Sequence, residues 1–106
     1  MSMDLCEKVY RLVRTFPAEE RFALGDQLRR AVVSIPSNIA EGNGRASQKD
    51  YAHFLSIARG SAHEVRTQLE LAARFGYVEA DAELDAQLNS ISKMLFSMIR
   101  KLGGWQ

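Results

Sequence analysis

Cysteine is nearly absent from this chain: among 106 residues Cys6 stands alone, which excludes an internal disulfide and fits a reducing cytoplasm. Proline occurs only twice, and no alternating β-branched run appears, so little here could build strands. No apolar run approaches the ~20 residues of a membrane span, and no signal-peptide pattern precedes the first amphipathic stretch. A predominance of one sign of charge is also missing. Fourteen Lys and Arg against thirteen Asp and Glu leave a formal +1, so affinity for nucleic acid or anionic lipid has to come from a local patch. What remains is one domain, residues 1–106, with 46% hydrophobic and 25% charged residues, the balance of a soluble protein. The class is all-α, and a core this small makes oligomerisation a reasonable expectation.

Periodicity divides the chain into four helices. Leu5, Val9, Leu12, Val13 and Phe16 fall on one face of a first helix over about residues 3–15. Pro17 then suits the first position of a second helix, with Glu19 and Glu20 in its positive first turn. Leu24, Leu28, Val32, Ile35 and Ile39 carry that helix to about Glu41, straight through Pro36, where a lost backbone bond predicts a bend. Gly42 and Gly44 read as a helix stop, and Ser47 with Asp50 as the next N-cap. Tyr51, Leu55, Ala58, Ala62, Val65, Leu69 and Ala72 alternate by four and three, a heptad seam for the third helix. Four acids between Glu79 and Asp85 open the fourth, in which Leu84, Leu88, Ile91, Leu95, Met98 and Leu102 repeat the alternation before Gly103 and Gly104. Short turns between such helices predict an antiparallel up-and-down four-helix bundle, bent near Pro36. The third helix reaches roughly 43 Å and the first only about 20 Å, so the bundle is uneven.

Chemistry is harder to find. Arg30, Ser34, Ser37 and Glu41 form one polar stripe on the second helix, with Asn38 at its border. These residues can recognise a partner, or they can serve the backbone groups that Pro36 leaves unpaired while Glu41 pairs with an arginine such as Arg45. Arg59, His63, Arg66 and Glu70 follow on one side of the third helix. Arginines so spaced can track phosphates, or form a solvated face with an Arg66-Glu70 pair. Asp50-x-x-His53 is too little for a dimetal carboxylate centre, and His63-Glu64-Val65-Arg66-Thr67 lacks the second histidine of a zinc protease helix. No nucleophile and base pair up, Cys6 reads as a small core residue beside the first apolar stripe, and Gly42-x-Gly44 follows a helix rather than a strand. No enzymatic activity, cofactor, metal or small-molecule substrate is expected. Phe54, Ile57, Leu71, Phe75, Met94 and Phe96 lie off the seams, which is surplus apolar surface for one core and a candidate oligomer interface.

Taken in order, Phe16-Pro17 with Glu19-Glu20, Leu28 to Ala31, the run Ser34-Ile35-Pro36-Ser37-Asn38-Ile39-Ala40-Glu41-Gly42, then Phe54-Leu55, Ala58 to Ser61, Glu64 to Leu69 and Phe75-Gly76-Tyr77 resemble the 23S rRNA intervening-sequence proteins. Pro36, Ser37, Asn38, Glu41 and Gly42 belong to the most specific part of that resemblance. It implies a small bacterial cytoplasmic four-helix-bundle protein that assembles as a ring-like homopentamer, in a family whose molecular function is generally unknown. Some relatives are encoded within intervening sequences of ribosomal RNA genes, and others act as retroelement accessory proteins that bind nucleic acid and a reverse transcriptase. The nucleic-acid-binding relatives look strongly basic, whereas this chain is +1, and members commonly begin about ten residues earlier, so a shortened start is expected. The leading expectation is a non-enzymatic oligomeric interaction module with RNA or DNA as partner, for which Arg29, Arg30, Arg45, Arg59 and Arg66 are the candidate phosphate contacts. The alternative is a homo-oligomeric scaffold that recruits another protein and binds no nucleic acid.

Overall fold

A computed structural model describes residues 2–103, which form α1 (Ser2–Val13), α2 (Ala18–Arg21), α3 (Leu24–Asn43), α4 (Gln48–Arg74) and α5 (Ala82–Lys101). No strand occurs among them. The four longer helices run up and down, with the single turn of α2 at a corner: Cys6 meets Val32, Gly42 abuts Tyr51 and Phe54, and Arg66 reaches Asp85. The most extensive pairing is α3 with α4, then α4 with α5 and α1 with α3, whereas α1 and α5 barely touch. Unevenness is as expected, α4 having 27 residues and α1 only 12.

Capping residues fix the ends. Ser47 Oγ accepts from the Asp50 amide at 3.0 Å, and Asp81 Oδ1 from the Leu84 amide at 3.0 Å, each satisfying a first-turn donor. At the far end of α4, Gly76 takes a positive φ of 79°. The Tyr77 amide then reaches the Ala72 carbonyl at 2.9 Å, and the Gly76 amide that of Ala73 at 3.1 Å, which is a Schellman stop. The expected Gly103-Gly104 stop is seen in part: Gly103 has φ 74°, and Gly104 lies outside the described residues.

The core lies along the predicted stripes. Leu5, Val9, Val13 and Phe16 of the first segment, Leu28, Val32 and Ile35 of α3, Leu55, Ala58, Ala62, Val65 and Ala72 of α4, and Leu84, Leu88, Ile91, Leu95 and Ile99 of α5 are all buried. The expected helix over residues 17–41 is in two pieces, divided at Phe22 and Ala23. Gly25 explains the division: a Cβ there would stand 2.8 Å from Val13 Cγ1 and 3.1 Å from the Glu20 carbonyl oxygen, so the chain turns at α2 to let α3 start hard against α1.

Helical structure passes through Pro36 without interruption. Proline offers no amide to the carbonyl four residues back, which is that of Val32. The Cys6 thiol of α1 donates to that carbonyl at 3.3 Å. The expectation that Ser34, Ser37 and Asn38 would serve this group is therefore corrected, while Cys6 packs partly buried against the core as expected and adds this bond. Asn38 Nδ2 instead donates to the Ser34 carbonyl and hydroxyl, each at 2.8 Å, and Ser61 Oγ of α4 donates to Ser34 Oγ at 2.9 Å. Ser37 is exposed.

The expected stop falls at the second of its two glycines: α3 ends at Asn43 and Gly44 caps it with an ordinary φ of −83°, while Gly42 lies within the helix. Gly42 is buried, and a Cβ on it would stand 2.9 Å from both Phe54 Cβ and Tyr51 Cδ1. Its smallness lets α3 and α4 close together.

Gly42→Ala destabilises by about 1–3 kcal/mol through overpacking, despite the better helix propensity of alanine, whereas Gly44→Ala, whose nearest neighbour would be 3.6 Å away, changes stability by less than about 0.5 kcal/mol in denaturant melts. Cys6→Ala orphans the Val32 carbonyl and lowers stability by about 1 kcal/mol, while Cys6→Ser keeps a donor and stays closer to the parent. Partial burial pushes the Cys6 thiol above its ordinary value of 9.0, against an opposing backbone hydrogen bond. The folded state thus holds the proton more tightly: this contribution is complete below the ordinary value and is lost as pH climbs through the raised one. Melting temperature should accordingly fall as pH rises past the ordinary thiol value of 9.0, with part of the fall missing in Cys6→Ser.

Candidate functional site

Carboxylates already hold several of the arginines proposed for phosphate contact. On α3, Arg29 pairs with Asp26 and gives a second bond to the Arg21 carbonyl at 2.7 Å. Arg30, on the next position, lines a shallow depression of about 460 Å³ with Tyr10, Asp26, Val33, Ser34 and Ser37. The polar stripe of α3 thus flanks α1 on one side and, through Ser34 and Ser61, α4 on the other. Arg45 binds Glu41 at 2.5 Å, as the sequence suggested, and lies over the Phe54 ring at 4.7 Å.

Along the seam between α4 and α5 the arrangement differs from the sequence expectation. Arg66 does not pair with Glu70. Its Nε reaches Asp85 Oδ1 across the seam at 3.1 Å, and Glu70 takes Arg74 one turn on, also at 3.1 Å. These are surface pairs, each worth ~0.2–1 kcal/mol. His63 Nε2 lies 3.3 Å from Ser92 Oγ, a hydroxyl and base brought together that the sequence did not reveal. Ser92 is only 4% exposed, so its hydroxyl packs within the seam rather than meeting a substrate. Further along, Arg59 lies 5.1 Å and Arg100 6.0 Å from the Phe96 centroid.

An open groove of about 640 Å³ runs beside this seam towards the loop before α5, lined by the apolar Leu69, Val78 and Leu88 and the polar His63, Arg66 and Asp81. At that end the two aromatic motifs meet: Phe16 and Phe75 lie 5.7 and 5.6 Å from the Tyr77 ring. Desolvation first, then a hydrogen bond to Glu20 and the charges of Glu20 and Glu19, push the Tyr77 phenol above its ordinary value of 10.0. Among the described residues no group of three or more His, Cys, Asp or Glu could hold a metal ion, and no helix is long and apolar enough to cross a membrane.

Of the six surplus apolar residues, Phe54 is half-buried under Arg45 and against Gly42. Ile57, Leu71, Phe75, Met94 and Phe96 are exposed. Ile57 and Leu71 on α4 and Phe75 at its C-cap belong to a second alternation of four and three that the sequence reading overlooked: Ile57, Ser61, Glu64, Gln68, Leu71, Phe75. The signal was present, but polar residues at its centre hide it from a search for apolar periodicity.

No curated protein matches the chain. A solved structure does: a protein of unknown function from the S23 ribosomal protein family of Bacteroides thetaiotaomicron, 28% identical, superimposes with a TM-score of 0.79 over 92% of this chain and 94% of that one. A model of the 23S rRNA-intervening sequence proteins matches residues 1–97, from the start of α1 through most of α5. Fold, signature run and family match therefore coincide, and the chain belongs to the 23S rRNA-intervening sequence protein family.

Proposed function

We propose that this protein is a non-enzymatic interaction module of the cytoplasm that assembles with copies of itself and docks nucleic acid. The observation that carries the assembly is the second seam of α4. Ile57, Leu71 and Phe75 are 40%, 38% and 58% exposed, at the spacing with which one helix meets another. Full burial of such a side chain is worth ~1.5–3 kcal/mol, and since about half of each remains exposed, covering the three contributes roughly 2–4 kcal/mol in all. A ring of five is the form that the family resemblance implies.

Charge supports nucleic acid as the partner. Residues 33–62 and 86–103 hold six cations against two carboxylates, a net +4, and the rest of the chain carries the acidic balance. The scaffold reading, with no nucleic acid, is favoured instead by the carboxylate partners of Arg29, Arg45 and Arg66.

Light scattering at micromolar concentration should find an oligomer, and Ile57→Glu with Leu71→Glu should shift it to a monomer of unchanged helicity; a monomeric parent protein would sink the assembly. For the partner, mobility shifts of RNA and DNA at ~50 mM salt should weaken steeply as salt rises. Retention of neither would leave the scaffold reading.

A further inference from the structure

Six of the fourteen Lys and Arg lie in one half of the bundle, where only two carboxylates accompany them. Gly42 against Tyr51 and Phe54 brings the end of α3 to the start of α4, and Arg59 over Phe96 brings the last turns of α5 beside them. Arg45, Lys49, Arg100 and Lys101 belong to this end, Arg59 and Lys93 follow it towards mid-bundle, and of the two acids among them Glu41 is taken by Arg45. The rest of the chain holds eleven carboxylates, among them Glu19, Glu20, Glu79, Asp81, Glu83 and Asp85, against eight cations, a net −3. A formal +1 conceals this division.

Within the basic end one aromatic stands out. Phe96 is 39% exposed, with the Arg59 and Arg100 guanidiniums over its ring. Lys93, Phe96 and Arg100 follow i, i+3, i+7 on one face of α5, and Arg59 joins them across the seam. Planar guanidiniums held against a phenyl ring make a stacking platform, and Lys93 supplies a mobile cation beside it. In a duplex the faces of the bases are hidden, whereas single strands offer them. We infer that the Arg59, Phe96, Arg100 and Lys93 face binds single-stranded nucleic acid, a base stacking on the platform and its phosphates lying along the cations. Arg59 follows Ile57 by two residues, about 200° round the helix, so this face and the assembly seam do not compete. An acidic protein segment would satisfy the cations but leave the platform unused. The inference rests on the nucleic-acid reading above and specifies its site and its strandedness.

Fluorescence anisotropy with a labelled uridine oligonucleotide, the matching duplex RNA and polyglutamate, all on the full chain at ~50 mM salt, tests it. The single strand should bind tighter than either competitor. Phe96→Ala should weaken it roughly tenfold with little effect on the duplex, and Phe96→Tyr should restore it. Arg59→Ala with Arg100→Ala should weaken it further and flatten its salt dependence, circular dichroism confirming that each variant remains helical. Duplex binding equal to the single strand, or unchanged single-strand binding by a folded Phe96→Ala protein, overturns the site while leaving a nucleic-acid role intact. Preference for polyglutamate, or no binding of either nucleic acid, overturns both.

Discussion

A proline in the middle of a helix leaves one carbonyl without a donor, and the packing of α1 on α3 is organised by where that donor comes from. The helix cannot supply it, because the missing amide is its own. Water is a poor supplier at a face that must be covered by α1, since Val32 and Ile35 are both buried there. The Cys6 thiol provides it from outside the helix. This choice fixes the register of the shortest long helix: once Cys6 lies opposite Val32, Val13 falls against Gly25, and the α2 corner has to close at that height. A small, weakly donating side chain suits the place, since a hydroxyl would be better hydrated and an amide larger.

The legible part of the fold was its apolar arithmetic. The seams of α4 and α5, the cap at Ser47 and the acidic start of α5 all depend on interactions within a few residues, which a sequence displays directly. The illegible part lies between helices. Cys6 and Val32 are distant in sequence, and nothing local marks the thiol as the donor for the proline's carbonyl. Gly42 illustrates the same limit: its neighbours suggest a helix end, but its smallness answers to Tyr51 and Phe54 on another helix. Arg66 chose Asp85 over Glu70 for a similar reason, as a cross-seam carboxylate lies within reach once α4 and α5 are packed.

For the candidate surfaces, sequence named the right residues more often than the right relationships. Phe96 was visible as surplus apolar area, and Arg59 as a cation, but not as one stack with Arg100. Ile57, Leu71 and Phe75 were visible singly. Their common stripe was masked by Ser61, Glu64 and Gln68, of which Ser61 and Gln68 are buried. Ser61 is engaged with Ser34 of α3 and Gln68 with Glu64, so the exposed apolar surface of this stripe lies at its two ends.

Length also matters to how charge acts. The molecule extends 44 Å along its longest axis, whereas at physiological ionic strength electrostatic influence decays over ~8 Å. An anion arriving at one end is screened from the other by several such lengths. The operative charge in a diffusional encounter is therefore that of the approached end and not that of the whole chain. Orientation is then selected before contact, as the more acidic remainder repels the same visitor. A nearly neutral isoelectric balance thus coexists with two electrostatic surfaces that behave as if they belonged to separate molecules.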